Sequence, residues 1–368
     1  MSAKQLQIGD IPSPALLFNA EDIDYNLDLM VSLAGSAERL RPHVKTHKCP
    51  QIVSRHLDRG ITRFKCATIA ETEMVAIQGA RSIVLAKQAV GPDICRLIQL
   101  SAAYPETEFL AIVDNLDSLK QLNAALKESS QSLGVLVDVD CGMGRTGIAA
   151  GPELKSLYGA IHDNTSTIAA GFHVYDGHLH DPDLEDRKEK SQAALAPVLE
   201  LKAELEATGI PVPHFIAGGS PTFALHANNP KVTECSPGTT VLWDTGYRDD
   251  YPDLPFRTAA TVLTRVISRL ASDAVCVDLG HKAISADKAQ PRVLFERIPD
   301  ASFETHSEEH LVVRSPACAD LKVGDHLRGI PKHICPTVAL YDQAYVLDST
   351  DQVIDEWPIT ARKRRLSI

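Results

Sequence analysis

GVLVDVDCGMGRTG, residues 134–147, decides between two folds. Its first six residues are the short β-branched run of a buried strand. Residues 142–147 then spell G-x-G-x-x-G, the glycine loop that in an open doubly wound sheet opens a helix over a dinucleotide phosphate. Such a loop needs a helix at once, a place near the start of its domain, and an acidic residue ending the next strand about 20 residues on. Here AAGP (149–152) interrupts the helix start, and IHDN (161–164) ends a helix-like segment rather than a strand. The loop therefore reads as a tight turn that either aims Arg145 inward from a strand end or leaves it solvated.

Seven further runs of the same kind surround it: RLRPHVK (39–45), TRFKCAT (62–68), SIVLAK (82–87), EFLAIV (108–113), AAGFHV (169–174), PHFIAG (213–218) and KVTECS (231–236). They recur at intervals of roughly 20 to 35 residues, with amphipathic helix-like segments between them. Two such segments carry end signals: 19–34, with Asn19 as N-cap, and 187–209, which stops at Gly209. Eight strands alternating with helices predict a closed α/β (β/α)8 barrel of the TIM type. Beyond about residue 250 the runs are strand-like, among them FRTAATVLTRVISRL, AVCVDLG, EEHLVVRS, GDHLRGIP and AYVLD, with no long helix between them. The expected division is a 1–20 segment joining the β domain, a 21–248 barrel and a 249–368 C-terminal β domain.

Composition narrows the class. The chain has 368 residues, 44% of them apolar and 23% charged, with a formal net charge of −11. That charge opposes nucleic acid and anionic membrane as partners, and no apolar run is long enough to span a bilayer. Eight singly placed cysteines (49, 66, 95, 141, 235, 276, 318 and 335) without a C-x-x-C pair, and no secretion signal, fit a reducing cytoplasm.

A barrel puts its chemistry at the C-terminal ends of its strands, and the polar clusters fall there. RPHVKTHK (41–48) ends the first strand run with Lys45 between His43 and His47, the setting of a reactive amine; Lys48 would point elsewhere. AGGSPT (217–222) and SPGTT (236–240) follow the seventh and eighth runs, where backbone N–H groups of bare glycine loops hold phosphate. HVYDGHLHD (173–181) offers His173 and Tyr175 to flank a bound ring, and His178 or His180 as a base or metal ligand. In PKHICPTVALYD (331–342), His333 and Cys335 stand at i and i+2, so an extended backbone turns imidazole and thiol to one side, a pair suited to a borderline cation such as zinc.

These motifs, PHVKTHK, DCGMGRTG, GGSPT and HICPTVALYD, resemble the D-threonine aldolase and D-serine dehydratase family of alanine-racemase-like (fold-type III) pyridoxal phosphate enzymes. The resemblance covers nearly the whole chain. It implies that Lys45 carries pyridoxal 5′-phosphate covalently and that Arg145, His173 and Tyr175 contact the cofactor. It also implies that Gly218, Gly219, Ser220, Gly238 and Thr239 cradle the phosphate, and that His333 and Cys335 hold a divalent metal (Zn, Mn or Mg). The implied protein is a cytoplasmic homodimer acting on a small D-amino acid. Aldolases of the family tend to carry His-x-Asp where this chain has His-x-Cys, the dehydratase pattern, whereas PTVALYD looks more like the aldolases. The expected activity is retro-aldol cleavage of a β-hydroxy-D-amino acid to glycine and an aldehyde, with His180 as first and His178 as second choice of base. The alternative is dehydration of D-serine or D-hydroxyaspartate to a 2-keto acid and ammonia. An amino-acid racemase, a nicotinamide oxidoreductase and a non-catalytic pyridoxal phosphate carrier are the competitors of other classes.

Overall fold

The structure, a computed structural model, describes residues 6–368, so residues 1–5 of the expected N-terminal segment lie outside the described residues. By contacts the chain forms two compact units. One comprises Met30–Lys45, Ile52–Gly238 and Lys363–Ile368; the other gathers the described part of Met1–Leu29 with Thr46–Gln51 and Thr239–Arg362.

Strand β1 (Ala15–Asn19) precedes the strands of the barrel unit. These are β2 (Arg63–Cys66), β3 (Ser82–Leu85), β4 (Glu108–Val113), β5 (Leu133–Asp140), β6 (Ile148–Ala149), β7 (Thr167–Val174), β8 (His214–Ala217) and β9 (Glu234–Cys235). They pair in parallel in the order β2-β3-β4-β5-β7-β8-β9, with the short β6 on β5. The predicted first strand, 39–45, closes this sheet into a barrel without being a regular strand: Leu40 bridges Cys235 and His43 bridges Lys65, both in parallel. Pro42 is the reason, because it has no N–H to give to a ladder, although its carbonyl still accepts the N–H of Lys65 (3.0 Å).

The helix ends follow the sequence signals. The helix Ala20–Ala34 is capped by Asn19, whose side-chain oxygen accepts the N–H of Asp22 (2.9 Å). The helix expected over 187–209 begins earlier, at Leu184, because Asp183 caps it through the N–H groups of Glu185 and Asp186; it ends at Ala207, before Gly209 at φ +86°.

Inside the barrel, Val84, Leu110, Ile112, Leu136, Ala170 and Ile216 form a buried apolar layer. Where the strands begin, the interior is polar instead. Arg41, fully buried, ion-pairs with Glu234 and donates to Ser82 Oγ (3.0 Å); Ser82 donates to Glu108 (2.6 Å), and His214 Nδ1 donates to Glu234 (2.8 Å). Burial alone would push the Glu234 carboxyl up, but the Arg41 and His214 charges hold it down to about 2. Ser82, Glu108, His214 and Glu234 each open or nearly open their strand, so this network lies at the N-terminal end of the barrel, the end that stabilises rather than reacts. In β7, Gly171 at φ +123° lets β8 approach so closely that a Cβ would lie 1.9 Å from the His214 carbonyl oxygen.

The second unit is a β domain. It continues with β10 (Ala260–Ala271), β11 (Ala274–Val277), β12 (Val293–Phe295), β13 (Ser302–His306), β14 (Leu311–Arg314), β15 (His326–Pro331), β16 (Gln343–Leu347) and β17 (Val353–Pro358). Among the described residues its sheet runs β13-β14-β11-β10-β1-β16-β17, with β15 pairing β10 and β12. The N-terminal strand β1 lies between β10 and β16, antiparallel to the first and parallel to the second. Val262, Val275, Val277, Phe295, Leu311 and Leu327 belong to its core. The contact boundary falls at Gly238/Thr239, earlier than the expected 248/249, because Trp243 is fully buried against the rings of Tyr247 and Phe256 within this unit. Among the described residues no helix is long and apolar enough to cross a membrane.

Candidate active site

In the barrel unit the expected groups converge on one aromatic ring. Lys45, half-buried at the end of the irregular first strand, has its Nζ 5.9 Å from the centroid of Tyr175, and its backbone N–H donates to His43 Nδ1 (3.3 Å). Arg145 Cζ stands 4.9 Å from the same centroid. Lys48 belongs to the other unit, where its carbonyl accepts the N–H of Ala361 (3.1 Å).

The Arg145 loop is built by carboxylates rather than by a helix. Asp140 Oδ1 accepts the N–H groups of Gly142 and Gly144 (3.0 Å each), Thr146 donates to Asp138 (2.8 Å), and the Gly147 N–H donates to Asp114 (3.1 Å). This is the tight turn that the sequence motif suggests. On the neighbouring strand, His173 Nδ1 donates to Asp138 (2.6 Å). Burial pushes the His173 imidazole down, aided by the Lys65 charge; burial would push the Asp138 carboxyl up, but the bonds from His173 and Thr146 hold it below its ordinary range. His173 is thus a neutral ring that donates to a carboxylate, and its other nitrogen, Nε2, is buried without a hydrogen-bond partner among the described residues.

The glycine loop after β8 packs tightly against neighbouring side chains. Gly218 sits at φ +83°, and a Cβ there would lie 2.6 Å from the His226 ring; one on Gly219 would lie 3.2 Å from Tyr175. Ser220 Oγ accepts the Gly238 N–H (3.1 Å), which ties this loop to the loop after β9. Behind both, buried Asp176 accepts from Thr222 (2.9 Å) and His226 Nε2 (2.6 Å) and fixes the loop. Sequence reasoning misses this pair, although Asp176 stands inside HVYDGHLHD. Of the two candidate bases, His178 is half-buried, with its ring against Gly142 and Nδ1 buried without a partner among the described residues; His180 is exposed.

The metal pair lies in the β domain. His333 and Cys335 flank the start of the short helix Ile334–Val338, whose first N–H donates to buried Asp244 (2.9 Å). Burial raises the Asp244 carboxyl to about 6. His333 Nδ1 donates to Asp287 (2.7 Å), the carboxylate–histidine arrangement that orients metal-ligating imidazoles, and the ring also hydrogen-bonds to Cys335. Burial would push the His333 imidazole down, but Cys335 and Asp287 hold it up at about 9. Thr46 Oγ1 and Thr239 Oγ1 lie 3.1 and 3.6 Å from Cys335 Sγ. By chain connectivity these hydroxyls follow Lys45 and Gly238 directly. Thr239, expected in the phosphate cradle, therefore has its side chain against Cys335. Among the described residues no group of three or more His, Cys, Asp or Glu side chains is placed to hold a metal ion. Asp287→Ala is expected to weaken divalent-cation binding roughly 10- to 100-fold, read by titrating the cation into chelator-stripped protein.

Comparison with known proteins places the chain. Residues 18–245 match the family described as "Alanine racemase, N-terminal domain". The chain belongs to that family. Residues 259–347 match the "Putative serine dehydratase domain", so this member carries both parts in the order the sequence suggests. Similar proteins include D-threonine aldolase of Arthrobacter sp., 29% identical with 96% of this chain and 93% of that protein covered. The 3-hydroxy-D-aspartate aldolase of Paracoccus denitrificans is also 29% identical, over 96% of this chain and 92% of its own length. Among solved structures, D-threonine aldolase from Filomicrobium marinum superposes with a TM-score of 0.90 at 27% identity, covering 98% of this chain and 99% of its own.

Proposed function

We propose that this chain is a pyridoxal phosphate- and divalent-cation-dependent lyase that cleaves β-hydroxy-D-amino acids between Cα and Cβ, giving glycine and an aldehyde. The observation that carries the reading is the His333–Cys335 turn held by Asp287, because a racemase or a cofactor carrier has no use for such a cation site, and the barrel loop is no dinucleotide loop. The residues fit the cofactor: an amine and a guanidinium stand over one aromatic face, and a glycine loop packs against the same ring.

When bound, pyridoxal phosphate supplies a sink for the electron pair released at Cα, and the cation supplies positive charge to the substrate's β-hydroxyl. The protein does the rest. Lys45 Nζ would hold the cofactor by its aldehyde. Tyr175 would pack a ring face, Arg145 would face anionic oxygen, and the loops carrying Gly218, Gly219, Ser220 and Gly238 would take the phosphate. His178, half-buried, takes the hydroxyl proton in preference to exposed His180. A homodimer in a reducing cytoplasm is part of the same reading; among the described residues no disulfide joins the eight cysteines.

A second reading is dehydration, favoured by the thiol at Cys335 and by the match to the dehydratase domain. There Lys45 Nζ would take the Cα proton and the β-oxygen would leave. Product analysis separates the two: D-threonine and D-serine are supplied with and without a chelator. Glycine plus aldehyde, lost on chelation, is expected. A keto acid and ammonia without glycine overturns the retro-aldol reading, and indifference to the chelator removes the cation.

A further inference from the structure

Lys65 is a buried charged group at the reactive end of the barrel that none of these roles uses. It is the third residue of the four-residue strand β2, and its side chain shares the inward face of that strand with Arg63, which lies 3.6 Å from Glu234 at the other end of the barrel. It is 4% exposed, and its Nζ stands 5.2 Å from the centroid of Tyr175, the ring that Lys45 and Arg145 also face. Among the described residues its ammonium makes no hydrogen bond or ion pair. Asp138 and Asp176 are near enough to act on it, but each already takes two donors, His173 and Thr146 in one case and Thr222 and His226 in the other. Three cations thus face one ring while the adjacent carboxylates are occupied.

We propose that Lys65 is a further ligand of the site: its ammonium takes an anionic oxygen of the bound small molecule, either the cofactor's ring oxygen or the substrate's α-carboxylate. The proposal rests on the barrel holding pyridoxal phosphate. A buried lysine without a partner is costly to keep charged, and an arriving anion would hold this one charged to higher pH. With Lys45 assigned to the cofactor's aldehyde, Lys65 and Arg145 are the other two cations over this ring and can meet anionic oxygens of the bound molecule.

Burial lowers the Lys65 pKa to about 7, Lys45 and Arg145 push the same way, and Asp138 and Asp176 oppose them. An arriving anion raises it again. Binding through Lys65 is therefore full below about pH 7 and fades as pH rises through the raised value in the complex.

The test uses the full chain as wild type, Lys65→Met and Lys65→Arg, with pyridoxal phosphate, D-alanine and D-alaninol as probes, binding being read from the visible absorbance of the cofactor. If the carboxylate is the ligand, Lys65→Met weakens D-alanine roughly tenfold or more and leaves D-alaninol and the substrate-free absorbance unchanged. If the ring oxygen is the ligand, the substrate-free absorbance of Lys65→Met titrates about one pH unit or more away from wild type, and both probes shift together. In either case the ratio of wild-type to Lys65→Arg affinity falls between pH 7 and 9, because arginine keeps its charge. That comparison stands even if Lys65→Met does not fold. A flat ratio, or a Lys65→Met protein matching wild type in both measurements, overturns the proposal and leaves the functional reading intact. A wild-type protein that gives no visible band with pyridoxal phosphate sinks that reading itself.

Discussion

Lys45→Ala is expected to lower D-threonine cleavage by at least roughly ten-thousandfold and to abolish the visible absorbance of the bound cofactor. The effect is large because no other expected role in the site is covalent. Arg145, Tyr175 and the glycine loop contribute binding, and losing any one of them leaves the others in place, whereas losing the amine removes the attachment that orients the cofactor. The half-buried position of Lys45 at the end of the irregular first strand, over the Tyr175 ring, explains why this lysine and not Lys48 is assigned: Lys48, three residues on, belongs to the other unit. Retained folding is checked by the thermal transition, which a half-buried side chain should move little.

Chelation, or Cys335→Ala, is expected to cost on the order of a thousandfold in turnover, the equivalent of several kcal/mol of charge stabilisation at the β-oxygen. Restoring zinc, manganese or magnesium should recover the chelated wild type but not the variant. Two protein ligands make a weak site, so the loss on chelation should be fast and complete. Activity that survives both treatments would leave the His333–Asp287 bond as a structural contact and would take away the distinction from a racemase.

The barrel is legible because parallel strands buried on both faces write themselves as short apolar runs, and the reactive ends of those runs are where polar clusters stand out. The first run is legible as sequence but not as structure, since Pro42 removes a ladder donor and leaves only the bridges at Leu40 and His43. Strands β12, β13 and β17 escape a reading of the sequence, being short or half-exposed edge segments whose alternation is diluted by turns. Site partners that act at a distance along the chain are invisible in it. Asp287 meets His333 across 46 residues and Asp176 meets His226 across 50, and no local spacing announces either. Lys65 is hidden differently: TRFKCAT reads as a strand with ordinary charges, and only the direction of the alternation turns its lysine inward.

The most direct test is to reduce the pyridoxal phosphate-loaded protein with borohydride and map the modified peptide by mass spectrometry. The pyridoxyl group is expected on Lys45 alone; finding it on Lys65, or on no lysine, would contradict the assignment of the cofactor-bearing amine on which the proposed chemistry stands.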